Sequence, residues 1–304
     1  MFVIVLNQNN LVTDGQNNKL VYRFPNSVNL TNKYIAVSSI SMFYSWFNIL
    51  ATSVNNTLSY TWTVGAVTTT YTLTLPDGLY EIADINAFLQ WSSIQNGTYL
   101  INASGDNVYY FELILNPTRY GVQLNTFQVP TALPVGWSAP ANFAGYPTQT
   151  FNPIVTFPAN FNQIVGYPAN FASNGNVNNA YVPPTASASN NYVAKDGAGT
   201  LSYLSNTAPQ VQPNNNVLFS VSNINNPYSQ PSSIIYSLNP NVNIGEQIYV
   251  TPPNFMWNKM IDGTYNEIRL TLLGTNLQPL IINDPNMTIL LTIRDKDESF
   301  LGTK

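Results

Sequence analysis

The sequence predicts an all-β protein, a single eight-stranded jelly roll interrupted by an inserted, mainly β domain that contains one helix. Three observations predict it. The composition suits strands and turns, the two ends of the chain alternate apolar and polar residues with a period of two, and eight strand-like stretches flank one long middle segment.

Of 304 residues, 44% are hydrophobic, enough for a sizeable core. Only 8% are charged, against about 25% in ordinary soluble domains. Asn supplies about one residue in seven, and Thr, Ser, Tyr and Pro are plentiful. Asn, Pro and Gly supply turn geometry, while Thr, Tyr and Val suit a pleated surface. No apolar run approaches the ~18 residues of a membrane span. The opening run Met1-Phe2-Val3-Ile4-Val5-Leu6 lacks a basic start, stops short of the ~7–15 apolar residues of a signal segment, and reads as a buried strand. The chain has no Cys, so no disulfide holds it. Its net charge is −4 and its ten Lys and Arg are scattered, which argues against direct nucleic-acid binding.

Taken in order, residues 2–6, 19–24 and 34–43 read as three strands, separated by turns at Asp14-Gly15, Asn17-Asn18 and Pro25-Asn26. Tyr44-Ser45-Trp46-Phe47-Asn48-Ile49 follows and reads as the edge of the core. Residues 57–76 form a hairpin. Leu58, Tyr60, Trp62 and Val64 share one face, matched by Tyr71, Leu73 and Leu75 on the return, with Gly65-Ala66 near the turn. Residues 82–95 read as a helix whose stripe Ile82, Ile85, Phe88 and Leu89 lies on a sheet. Asn96-Gly97 stops it. Residues 98–101, 108–115 and 120–127 return to β structure.

The composition then changes. Between Tyr120 and Gly245 the only charged residues are Lys195 and Asp196. Pro-Ala-Asn-Phe occurs at Pro140, Pro158 and Pro168, too irregularly for a solenoid. These read as aromatic-tipped turns in long loops, with polar runs such as Ser173-Asn174-Gly175-Asn176 and Ser187-Ala188-Ser189-Asn190-Asn191 on the surface. Strands resume at 217–221, 233–238, 247–250, 265–273 and 287–293. In the last two, Ile268, Leu270, Leu272 and then Met287, Ile289, Leu291, Ile293 form the inward rows. Three strands before residue 50 and five after 215 make eight. The jelly-roll domain is therefore expected over 1–50 and 216–304. The insertion is expected over 51–215, as an α+β module (51–128) followed by polar and aromatic loops (129–215). The first and last strands should lie side by side.

Chemistry is sparse. No His is present, so His-based triads, bases and metal ligands are absent, and no Cys nucleophile exists. No Gly-x-Ser-x-Gly elbow or phosphate-cradling loop appears. Asp77, Glu81, Asp84, Asp262, Glu267 and Asp284 are the carboxylates from which a hydrolase pair could be drawn. Each has a plainer use in a turn or on a solvent face. Asp295-Lys296-Asp297-Glu298 could offer oxygens to Ca²⁺ but reads as a solvated tail. The sequence thus predicts no enzyme and assigns no catalytic, cofactor-binding or metal residue.

Several phrases resemble the penton (minor capsid) proteins of virophages and related Polinton-type elements. They are Tyr44-Ser45-Trp46-Phe47-Asn48-Ile49, Pro76-Asp77-Gly78-Leu79-Tyr80 with Asp84-Ile85-Asn86, Gly136-Trp137, Ile261-Asp262-Gly263-Thr264-Tyr265, and the run from Pro279 to Met287. They occur in order from about residue 34 to 294, with little contribution from 138–215. The resemblance implies a single jelly roll with an inserted domain, five copies of which fill a vertex of an icosahedral double-stranded DNA virus particle. It implies contact with the surrounding major capsid protein, residence in the virion, no cofactor and no catalytic residues. The sparse charge and abundant aromatics fit an assembling protein independently, since interface cores are depleted in Lys, Glu and Asp and enriched in Tyr, Trp and Phe. A second reading is a receptor- or carbohydrate-binding β-sandwich such as a fibre head, with Trp137, Tyr146, Tyr167 and Phe171 as stacking platforms.

Overall fold

A computed structural model describes residues 1–174, 199–211, 216–243 and 245–296. The chain divides into two compact units, Met1–Phe47 with Pro213–Lys304, and Asn48–Gln212.

The first unit holds eight principal strands, labelled β1 (Phe2–Asn7), β2 (Lys19–Asn29), β3 (Lys33–Phe43), β4 (Val217–Val221), β5 (Ile234–Leu238), β6 (Gln247–Val250), β7 (Thr264–Leu273) and β8 (Met287–Asp295). They form two antiparallel sheets of order β1-β8-β3-β6 and β5-β4-β7-β2. The two-residue strand Asn258–Lys259 also pairs with β3. Eight strands in two four-stranded paths, with the chain's first and last strands adjacent, is a jelly roll. The expected pairing of the ends is found, running from Phe2 opposite Ile293 to Asn7 opposite Thr288.

The period-two rows become the core. Ile4 and Leu6, Ile268, Leu270 and Leu272, and Met287, Ile289, Leu291 and Ile293 are all buried, joined by Ile40, Met42, Phe219 and Ile248. Burying one such side chain contributes about 1.5–3 kcal/mol. The opening strand is not wholly buried as its composition suggested. Phe2, Val3 and Val5 are exposed, because β1 is an edge strand with one face open. Tyr44 and Trp46 close the core, as expected, with ring centroids 4.2 Å apart. β2 runs past Pro25, where a turn was expected. Its register with β7 shifts between Tyr265 and Glu267, and as an edge strand it tolerates the missing N–H of proline.

In the second unit the hairpin Thr57–Val64 with Val67–Thr74 is in register throughout. Strands Val155–Phe157 and Phe171–Ala172 extend it into a four-stranded sheet. Phe111–Asn116, Gly121–Thr126 and Leu201–Leu204 form a second sheet. Helix α1 (Ile82–Asn96) packs against Phe111–Asn116, burying Ile82, Ile85 and Leu89, and Leu113 N–H donates to Asn86 Oδ1 at 2.8 Å. Gly97 caps it in the left-handed region at φ +65°. Near the start of this unit, Asn48 Nδ2 donates to the Tyr80 and Val211 carbonyls at 2.8 Å each.

The stretch read as long loops contributes more regular structure than expected. Val155–Phe157, the helix Asn162–Val165 and Leu201–Leu204 all lie within it. Each is shorter than the window in which periodicity can be recognised, and each owes its form to non-local pairing. The Pro-Ala-Asn-Phe repeats do form turns. Phe143 and Phe171 N–H bond the Pro140 and Pro168 carbonyls at 3.0 and 3.2 Å. Asn160 and Asn170 take positive φ, as Asn readily does. Their aromatic tips point inward rather than out, with Phe161 fully buried. Residues 175–198, including the second polar run, Lys195 and Asp196, lie outside the described residues, as does the end of the acidic tail from residue 297.

Candidate functional site

Of the six carboxylates available to a hydrolase, five hold a described local structure, and Glu81 stands at the start of α1. Asp77 accepts from Ala51 N–H at 2.6 Å. Asp84 accepts from Glu81 N–H at 2.9 Å at the start of α1. Glu267 lies beside Arg269 at 2.9 Å and Arg23 at 3.8 Å. Asp284 accepts from Asn286 N–H at 2.8 Å. Asp262 accepts from Asn32 N–H at 2.9 Å and pairs with Lys259 at 3.2 Å. The Asn32 N–H and then the Lys259 ammonium hold its carboxyl below the usual range. Among the described residues no group of three potential metal ligands is found.

The arrangement that does stand out is the division of charge between the two outer faces of the jelly roll. On the outward side of the β2–β7 pair sit Lys19, Arg23, Glu267 and Arg269; Glu267 stands opposite Arg23 and pairs with it and with Arg269, while Lys19 pairs with Asp14. These exposed ion pairs contribute little to stability. The outward side of β1-β8-β3-β6 is different. Val3 and Val5 stand beside Thr292 and Leu290, then Ser39, and Thr288 beside Ser41 and Tyr249. Val3, Val5 and Tyr249 are 53%, 45% and 70% exposed. An uncharged depression of 340 Å³ on this face is lined by Asn7, Gln8, Ser41, Phe43, Gln247 and Thr288 among others. It offers hydroxyls and amides but no group that titrates near neutrality, so it can bind a surface and cannot move protons. Charge borders it at both ends, with Asp284 bonded to the lining residue Asn286 at one and Arg294 over the Trp257 ring at 4.2 Å at the other.

The aromatics proposed as stacking platforms are largely committed elsewhere. Tyr167 is 4% exposed. Its hydroxyl accepts from Leu124 N–H at 2.9 Å and lies 3.0 and 2.8 Å from the Val122 and Tyr203 carbonyls. Burial pushes this phenol well above its ordinary range. Phe171 packs on Tyr167 with centroids 4.4 Å apart. Trp137 and Tyr146 pack partly buried around Trp62 and Val129. The sequence reading also missed a buried polar chain in the second unit. Asn116 bonds Gln123, Gln123 bonds Asn125, and Asn125 bonds both Glu112 and Ser202, at 2.7–3.2 Å. Its one sequence signal is polar residues at alternate positions of an otherwise apolar strand.

No family model matches the sequence, and no curated protein matches it. Solved structures do. The chain is similar in structure to the penton protein of mavirus. The two share 8% identity over 96% of each chain, with a TM-score of 0.42. It is also similar to a chain of the cryo-EM structure of the Sputnik virophage, with 11% identity over 97% of this chain and 98% of that one and a TM-score of 0.39.

Proposed function

We propose that this protein is a structural capsid component, the penton that assembles as a homopentamer at the fivefold vertices of an icosahedral double-stranded DNA virus particle, beside the major capsid protein. The observation that carries the reading is the uncharged outer face of β1-β8-β3-β6 on a jelly roll, set against a charged face on the other sheet. A closed ring needs two different surfaces on each copy, repeated by rotation. An uncharged face is the kind that survives desolvation in an interface core. The ordered phrases that resemble virophage pentons supply the valence of five and the neighbouring shell protein. The role is non-enzymatic, and every carboxylate described above already serves a turn, a helix start or a surface ion pair.

Measuring the mass of the purified chain in solution, alone and with its shell partner, tests the reading. Rings of five chains, single or paired, are expected. A monomer or trimer that binds glycans and stays that size in the presence of the shell partner would overturn it. The carbohydrate-binding alternative gains no observation, since Tyr167 is buried and its hydroxyl fully engaged.

A further inference from the structure

The strand Val67–Thr74 forms the outer edge of its sheet. Among the described residues it is paired on one side only, in unbroken register with Thr57–Val64. Its sequence, Val-Thr-Thr-Thr-Tyr-Thr-Leu-Thr, contains no charge and no proline, and its pairing contains no bulge. Every residue but Tyr71 and Leu73 is exposed. Natural edge strands are normally guarded by Lys, Pro, a bulge or a covering segment, because an open row of N–H and C=O groups templates another strand. β2, an edge in the other unit, carries Lys19, Arg23 and Pro25. Val67–Thr74 carries none of these.

The phase of the open row is set by the bond from Leu75 N–H to the Asn56 carbonyl at 2.8 Å. Bonding direction alternates along an antiparallel strand. The odd-numbered residues therefore turn their backbone groups to the hairpin partner, while Thr68, Thr70, Thr72 and Thr74 turn theirs outward. No described backbone group bonds to them.

We infer that Val67–Thr74 pairs antiparallel with the same strand of a second copy, about a twofold axis at Tyr71. The pattern selects a second copy as the occupant. Facing residues in an antiparallel pair lie on the same side of the sheet. Centring on Tyr71 sets Thr68 against Thr74 and Thr70 against Thr72, so hydroxyls meet hydroxyls on one side. On the other side Thr69 meets Leu73 and Tyr71 meets its own copy. No charge is opposed. All four outward residues of each copy then exchange both backbone bonds, about eight in total. This pairing is isologous and separate from the ring contact, so it stands or falls independently of the penton reading.

Two experiments on the full chain test it. Thr70→Pro removes an N–H that the hairpin does not use, and so blocks the edge while leaving the fold intact. The mass of the assembly should halve, whatever the ring number, with an unchanged circular dichroism spectrum. Because the chain has no Cys, the double variant Thr68→Cys/Thr74→Cys should form a covalent dimer on oxidation, and neither single variant should. Within one copy these positions are ~20 Å apart, too far for a disulfide. An assembly mass unchanged by Thr70→Pro, or no dimer from the double variant, overturns the inference. Failure to form fivefold rings in both proteins, with the halving intact, would count against the penton reading alone.

Discussion

Ile4 stands directly opposite Leu291, so the first strand of the chain is zipped to the last. Both side chains are buried, at 2% and 0% exposure. The jelly roll is therefore closed by its own termini, and its stability depends on residues almost three hundred positions apart. Leu291→Ala should cost about 2–5 kcal/mol and Ile4→Ala a similar amount. Chemical denaturation of the two single variants and the double variant should give a non-additive sum, because the side chains share one contact. Full additivity would show that the two side chains are not coupled across the strand pair.

The uncharged face makes a prediction about assembly. Val5 is outward on β1, so Val5→Asp should leave the fold intact and, on the proposed penton reading, place a carboxylate in the ring contact. Its desolvation should weaken association at least tenfold. The proposed ring should also be insensitive to salt, since that face offers no ion pairs to screen. Sedimentation at low and high ionic strength reads both effects.

Gly97 closes α1 at a positive φ, and a Cβ there would lie 1.9 Å from the Asn142 carbonyl oxygen. Gly97→Ala should destabilise the second unit by more than the ~1–2 kcal/mol of a left-handed backbone alone. Thermal unfolding would show this as a fall in Tm.

Asp262 is depressed by its bonds to Asn32 and Lys259. A carboxyl whose folded value lies below its unfolded one adds stability that is present above the unfolded value, 3.8, and is lost as pH falls through the folded value. Asp262→Asn should therefore flatten the acid limb of the stability curve below about pH 4. A carboxyl NMR titration should find its midpoint under that of a free aspartate.

Tyr167 fastens three carbonyl or amide groups of neighbouring strands. Tyr167→Phe should cost about 1–3 kcal/mol, because the buried groups are left without a partner. Unfolding by denaturant would measure it.

The jelly roll was legible because its rows repeat every second residue over long strands, as in Ile289, Leu291 and Ile293, and because both ends show the same pattern. The helix was legible from Ile82, Ile85 and Leu89 and the Gly97 stop. Less could be read where form comes from distant partners. Val155–Phe157 is three residues long and becomes a strand only by pairing with Ser59 and Tyr60. Tyr167 looked like an exposed ring because nothing local shows that the Leu124 N–H awaits its hydroxyl. The charge-free face was invisible for a related reason. Val3, Leu290, Ser41 and Tyr249 are brought side by side only by the sheet order.

The amide of Asn48 reaches the carbonyl of Val211, so the path out of the second unit finishes where the path in began. A short linker in place of residues 49 to 210 would then have only the small gap between Asn48 and Val211 to bridge.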